Sequence, residues 1–285
     1  MPADSVIPVS SNMNDAIASE ITPAEAPKCN IAVCVLASGS KGNAIYISNG
    51  ATSILLDAGL SGIEIERRLK SRGLSPQTLD AIIVSHEHND HIQGVGILSR
   101  RFGLPVYMNR KTGRAALSLL GNLNDQQFFE CGSAFSVKTL TIQPFSVSHD
   151  AQDPAGFTVQ QNGTKIGIAT DLGIATSMVK DHLKNCNMMV IEANHDPAML
   201  LEGPYPWPLK QRIKSRSGHL SNIDTKQLLQ ELKHDALAHV ILAHLSETNN
   251  TPQKALSEVG QAFSDCNARL TVATQDVCGS MFEIY

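Results

Sequence analysis

From Ile31 to the end of the chain, short runs rich in β-branched and apolar residues alternate with segments of helical spacing. No other feature limits the fold as strongly. IAVCVLA, AIYIS, TSILLD and AIIVS read as strands, followed by LTIQPFSV, GFTVQ, TKIGIATD, NMMVIE, HVILAH and LTVAT. IEIERRLKSRG and GVGILSRRFG have the apolar spacing of amphipathic helices. Three later helices carry start signals: Ser221 with Asp224 as a capping box, proline after Thr251, and proline after Asp196. Strands interleaved with helices along the whole length predict a layered α/β domain rather than a bundle or a barrel of hairpins. With 285 residues, 42% of them hydrophobic, the chain can bury a sizeable core.

A formal net charge of −4 gives no global attraction to nucleic acid or anionic membranes, so any polyanion must be met locally. The six cysteines are scattered, without a CxxC pair, and read as reduced thiols, which points to the cytoplasm. Residues 1–30 lack the basic and apolar regions of a secretory signal and suit a mobile tail, leaving residues 31–285 as one domain. No apolar run approaches the roughly 20 residues needed to span a bilayer.

The positions of the ten histidines relative to the strands point to chemistry. AIIV runs into Ser85-His86-Glu87-His88-Asn89-Asp90-His91, and TIQPFSV into Ser148-His149-Asp150. KIGIAT leads to Asp171, MMVI to Glu192 and then His195, and VILA to His244. Carboxyl ends of strands border the ligand crevice in α/β folds, so groups far apart in sequence can meet there. Strand-like alternation would put His86 and His88 on one side, with a turn bringing Asp90 and His91 round as a second pair. One divalent ion could take His86, His88 and His149, and a second Asp90, His91 and His244, with Asp171 bridging both. Two dications would neutralise the acids and keep the imidazoles unprotonated. A lone histidine at a strand end is usually just hydrogen-bonded, but such a set is not a series of coincidences. His182, His234 and His239 fit no such pattern and read as structural.

These residues resemble the metallo-β-lactamase superfamily, whose metal motif is HxHxDH and whose later ligands are a His, a bridging Asp and a final His. The resemblance includes Asp57 in LLDAG, a buried support for the metal loop in that superfamily, and it implies a four-layer αββα sandwich. Within the superfamily, residues 31–285 are most similar to the YycJ-type (WalJ) metallohydrolases. The similarity rests on ASGSKGNA, LLDAGLS, SHEHNDHIQGVGILSRR, SHDAQDPAGF, ATDLG, EANHD, GPYPWPLKQRI, GHLSN and LAHLSETNNTP. It implies a DNA exonuclease-like phosphodiesterase with two divalent ions, zinc first, with manganese or iron(II) as alternatives. Neither a membrane nor an obligate protein partner is implied. Glu192 and His219 look like the pair with which the tRNA 3′-processing nucleases of the superfamily deliver a proton. The plainer alternative is that Glu192 accepts a backbone hydrogen bond and His219 caps its helix.

The expected reaction is in-line attack of an activated water on phosphorus, with Asp90 orienting the nucleophile and His219 protonating the leaving oxygen. Ser38, Ser40, Lys41 and Asn43 of the loop after the first strand could present hydroxyls, a cation and backbone N–H groups to a phosphate, although an ordinary turn has the same composition. His195 is a further candidate substrate contact. Lys210, Arg212, Lys214 and Arg216 are spaced by two; in an extended segment they would line one edge and track a nucleic-acid backbone, beside Tyr205 and Trp207 as stacking surfaces. The charge run could equally be a solvated face. The rival enzyme is a thioester or lactone hydrolase using the same dinuclear centre, because fold and ligands do not fix the scissile bond. A scaffold protein with structural metals is disfavoured, since seven ligands for two ions leave coordination positions open.

Overall fold

The computed structural model describes residues 31–284, so the expected tail, 1–30, lies outside the described residues. The first half builds six strands: β1 (Ile31–Ala37), β2 (Ala44–Ser48), β3 (Ser53–Leu56), β4 (Ala81–Ile83), β5 (Pro105–Met108) and β6 (Asp125–Phe128). The second half builds β7 (Phe135–Val137), β8 (Leu140–Ser146), β9 (Ala155–Gln161), β10 (Thr164–Ala169), β11 (Met188–Glu192), β12 (His239–Ala243) and β13 (Arg269–Val272). The last strand, β14 (Phe282–Ile284), returns to the first sheet. Two seven-stranded sheets result, in the orders β14-β1-β2-β3-β4-β5-β6 and β13-β12-β11-β10-β9-β8-β7.

The halves repeat one plan. Antiparallel pairing runs through β1, β2 and β3, then parallel pairing through β4, β5 and β6. In the second sheet β7 to β10 are antiparallel and β10 to β13 parallel. Parallel neighbours need crossovers, and helices supply them. They are α1 (Gly62–Ser71), the single turn α2 (Asn89–Ile92), α3 (Val95–Phe102) and α4 (Arg110–Leu120) on the first sheet. On the second they are α5 (Ser177–Leu183), α6 (Pro197–Glu202), α7 (Trp207–Ile213), α8 (Asn222–Leu232) and α9 (Pro252–Gly260).

Four layers have three interfaces, and the buried apolar residues fall into three clusters. Ile31, Val33 and Val35 of β1 meet Ile142, Val159, Ile166 and Val190 between the sheets. Cys34 and Leu36, on the opposite face of β1, pack with Ile65 of α1 and Leu98 of α3. Met189 and Ile191 of β11 pack outward against Leu228 of α8 and Val259 of α9. Both faces of each sheet are covered, which is why the central strands read as continuous apolar runs. The molecule is the αββα sandwich.

Several elements differ from the sequence reading. The edge strand β6, DQQF, is exposed throughout and carries no hydrophobic signal. Helix α4 has Ala116 and Leu120 inside but Leu117 and Leu119 outside, which blurs its apolar stripe. The run of cations, which would line one edge if extended, is partly helical: α7 spans Trp207–Ile213, with proline in its first turn. Strand β4 ends at Ile83, so His86 and His88 belong to a loop, and the single turn α2 swings Asp90 and His91 round. Among the described residues, no helix is long and apolar enough to cross a membrane, and all five cysteines are free.

Candidate metal centre

The parallel strands end at one rim, where His86, His88 and His149 meet with ligand atoms within 4.8 Å of one another. Asp90, His91 and His244 form a second such group. His86 Nε2 and His88 Nδ1 are 3.0 Å apart, near the edge of about 3.3 Å between two nitrogens on one tetrahedral zinc. Asp171 stands between the groups, with Oδ2 3.1 Å from His91 Nε2 and Oδ1 3.6 Å from His149 Nε2 and 3.5 Å from His244 Nε2. Asp90 Oδ2 lies 3.6 Å from His91 Nε2 and 3.8 Å from His244 Nε2.

Two of these atoms, Asp171 Oδ2 and His244 Nε2, are buried without a hydrogen-bond partner. Orphaned buried polar atoms are costly, and a cation between them would satisfy both. Imidazole nitrogen and carboxylate oxygen suit zinc and its first-row neighbours. The residues therefore fit divalent metal ions.

The backbone is bent to make this meeting possible. Asp57, Asp171 and His244 have φ of 58°, 55° and 55°, in the left-handed region rarely taken by residues other than glycine. Each follows the end of a strand, β3, β10 or β12, and such strain persists only where the surroundings hold it. Asp57 accepts from Ser85 N and Ser85 Oγ, both at 2.8 Å, and from His91 Nδ1 at 2.7 Å, so His91 turns Nε2 to the centre. Ser38 Oγ accepts from His244 N at 2.7 Å. Close approach completes the loop: a Cβ at Gly59 would lie 1.6 Å from the Asp90 carbonyl oxygen, which accepts from Asn43 N at 2.8 Å.

Glu192, fully buried at the end of β11, organises the other side. Its Oε1 accepts from His219 Nδ1 at 2.8 Å and from His244 Nδ1 at 2.9 Å, while Oε2 accepts from Leu172 N at 2.7 Å and Leu220 N at 3.3 Å. With both oxygens engaged, this carboxylate orients two rings and leaves their Nε2 atoms free. The pairing with His219 agrees with the sequence expectation; the second bond, to His244, had no sequence signal. His219 also lines a cleft of about 210 Å³ with His149, Tyr205 and Arg212.

Burial and charge set the protonation of the cluster. Burial opposes a proton on His91, but Asp57 and Asp171 outweigh it and hold the ring well above the ordinary histidine range. Burial likewise opposes a charge on His244, and Asp171, Asp90 and Glu192 reverse the effect. His86 is pushed well below that range by burial and then by His91, and His149 is lowered mainly by burial. Burial would raise Glu192, yet His219 and His244 bring it to about 2. Carboxylates kept ionised beside imidazoles are a ready exchange site, since a dication can replace the protons that balance them.

The expected substrate contacts divide. Ser40 and Arg212 line the cleft beside the cluster. Ser38 and Asn43 are buried beneath it, Ser38 on His244 and Asn43 with Nδ2 3.3 Å from Asp90 Oδ2 and 3.1 Å from His91 Nε2. The loop does not offer the N–H cradle expected of it, because the amides of Ser38, Gly39, Lys41, Gly42 and Asn43 all donate within the protein. Lys41 Nζ pairs with Glu247 at 2.7 Å, away from the cleft. His195 is buried under the bridge its backbone makes with Ser221, with Nδ1 unpartnered. Lys210, two residues and so about 200° round α7 from Arg212, donates to the Leu201 carbonyl. His182 stacks on Phe145, His234 meets the Cys186 carbonyl, and His239 meets Thr271 Oγ1, all away from the cluster.

Two seven-stranded sheets under helices, with a histidine and aspartate cluster at one rim, define a metallo-β-lactamase fold. Residues 52–245 match the beta-lactamase superfamily domain, and the chain belongs to the metallo-β-lactamase superfamily. Over 233 residues it is 40% identical to Exodeoxyribonuclease YycJ of Bacillus anthracis, covering 81% of this chain and 88% of that one. It is 38% identical over 225 residues to Exodeoxyribonuclease WalJ of Streptococcus pneumoniae serotype 2, covering 78% and 84%. Among solved structures, the metallo-beta-lactamase fold protein YhfI from Bacillus subtilis superposes with a TM-score of 0.69 at 17% identity. That superposition covers 89% of this chain and 99% of that one, and at such identity it speaks for the fold alone.

Proposed function

We propose that the protein is a dinuclear-metal-dependent phosphodiesterase that removes nucleotides from DNA as an exonuclease. The observation that carries the reading is the pair Glu192–His219 set beside the ligand cluster. A buried carboxylate holds Nδ1 of a partly exposed imidazole at 2.8 Å, so that Nε2 can reach a substrate in the cleft. The substrate class is supported by two relatives of 40% and 38% identity, both named exodeoxyribonucleases.

In this proposal His86, His88 and His149 would hold one ion and Asp90, His91 and His244 the other, with Asp171, which stands between the two groups, available to both. Zinc is the first choice for this donor set, with manganese or iron(II) as alternatives. When bound, two such ions make water a nucleophile at neutral pH and offset charge on the attacked phosphate. Asp90 is placed to orient the attacking water by accepting its hydrogen bond. His219 gives the proton on Nε2 to the leaving oxygen, and Glu192 steadies the ring through Nδ1 while the charge changes. Arg212 meets the phosphate backbone from the wall of the cleft, and Tyr205 offers a face for a base.

The test is to assay the metal-loaded protein against end-labelled DNA, a bis-aryl phosphodiester and a thioester. Stepwise shortening of the DNA with turnover of the diester is the expected result. Thioester turnover with intact DNA would overturn the proposal in favour of carbon-centred hydrolysis.

A further inference from the structure

The cations of the 210–216 segment do not share one edge. Helix α7 ends at Ile213, and beyond it the chain forms a ridge between two hollows. Ser217, Gly218 and His219 face the metal cleft, as does Arg212. Lys214 and Arg216 line the other hollow, of about 370 Å³, with Gly173, Lys180 and Leu220. The ridge is thin: consecutive Cα atoms are about 3.8 Å apart, so Arg216 lies within about 7.6 Å of Gly218 along the chain. It is also fixed from below, because the Arg216 carbonyl accepts from Ser148 Oγ at 2.7 Å and a Cβ on Gly173 would come within 2.3 Å of that carbonyl oxygen.

The two hollows differ in how their cations are balanced. Arg212 pairs with Asp150 at 2.8 Å. Lys214 and Arg216 form no ion pair among the described residues. The same hollow holds two carboxylates, Asp224, which closes the capping box of α8 with Ser221, and Glu231, which binds Lys180 at 2.7 Å, so three cations there face two acids. Two exposed cations without an ion pair, three and five residues along the chain from His219, are suited to a polyanion that continues past the metal centre.

The geometry points to an accessory phosphate-binding site at Lys214 and Arg216, which holds the sugar–phosphate backbone of the same nucleic-acid strand on the far side of the ridge from the reacting phosphate. This rests on the phosphodiesterase reading. It goes further by dividing the basic segment into two backbone contacts: Arg212 on the cleft side of the ridge, and Lys214 with Arg216 on its far side. Among the described residues, the hydrogen bond that Arg216 makes is through its backbone carbonyl, which leaves its side chain to this role.

The experiment compares wild type with Lys214→Glu/Arg216→Glu on a labelled single strand of about 20 nucleotides and on bis(p-nitrophenyl) phosphate. KM for the strand should rise about tenfold, and its salt slope should fall by about 1.4, two contacts at roughly 0.7 each. Turnover of the small diester should be unchanged. Lys214→Gln/Arg216→Gln should shift KM in the same direction by less. Fluorescence anisotropy of the labelled strand, measured with metal but without turnover, reads the site independently of cleavage, and the affinity of the charge-reversed protein should drop by the same factor. Absence of wild-type cleavage would strike the proposed reaction, whereas unchanged anisotropy would strike this site alone. Equal losses on strand and small diester would overturn the accessory site as well, because the substitutions would then be acting on the metal cleft itself.

Discussion

The two sides of the cleft are built differently. On one side the candidate ligands follow the ends of β4, β8, β10 and β12, with His86, His91, Asp171 and His244 buried and Asp57, Asp171 and His244 in left-handed conformations. On the other side stand the short helices α6 and α7 and the ridge after them, with no fully buried residue in α7 and cations reaching toward solvent. A rigid rim can hold ions to within tenths of an ångström, as ligand chemistry demands. An exposed wall can change its side chains without disturbing the core. Under the proposed function, the strand ends would set the reaction type and the wall the choice of substrate.

Substitutions on the two sides should therefore fail in different ways. The largest effect is expected at Asp171, between both ligand groups: Asp171→Ala should lose bound metal and bring hydrolysis of every ester to background, read by metal analysis beside the assays. Next comes His219→Ala, which should keep its metal while kcat falls about 10²- to 10⁴-fold on DNA, the usual worth of a positioned acid. Unchanged kcat in a metal-replete His219→Ala protein would break the proton-donor role.

Smaller effects should mark the supports and then the wall. Asp57→Asn disturbs the ring orientation of His91, and should weaken metal affinity about 10- to 100-fold in a competition titration. Arg212→Glu should leave metal content alone and raise KM for DNA by about tenfold, with a flatter salt dependence and little change on a small diester. If Arg212→Glu also lost metal, the division between rim and wall would not hold.

Much of the rim was legible in the sequence because its signal is chemical and local. His86, His88, Asp90 and His91 crowd one turn, and His149, Asp171, Glu192 and His244 each follow an apolar run, so strand ends and site could be read together. What stayed hidden was long-range hydrogen bonding. Nothing in Ser38 or Asn43 tells that they lie beneath the cluster rather than facing substrate, because their partners, His244 and Asp90, are distant in sequence. The second bond of Glu192, to His244, has the same origin. The local conformation of the wall was left open by the sequence for another reason. A spacing of two in Lys210, Arg212, Lys214 and Arg216 suits an extended edge, but Pro206 and Pro208 start a helix at Trp207 that sends Lys210 and Arg212 to different surfaces.

The central claim is that seven side chains hold two ions on which hydrolysis depends, and titration of the metal-free protein tests it most directly. Bound metal and DNA cleavage would be followed together as ions are added back after chelation. The account predicts no cleavage without metal, saturation at two ions per chain, and loss of that saturation in Asp171→Ala. Full cleavage by the chelated protein, or saturation unaltered by Asp171→Ala, would contradict it.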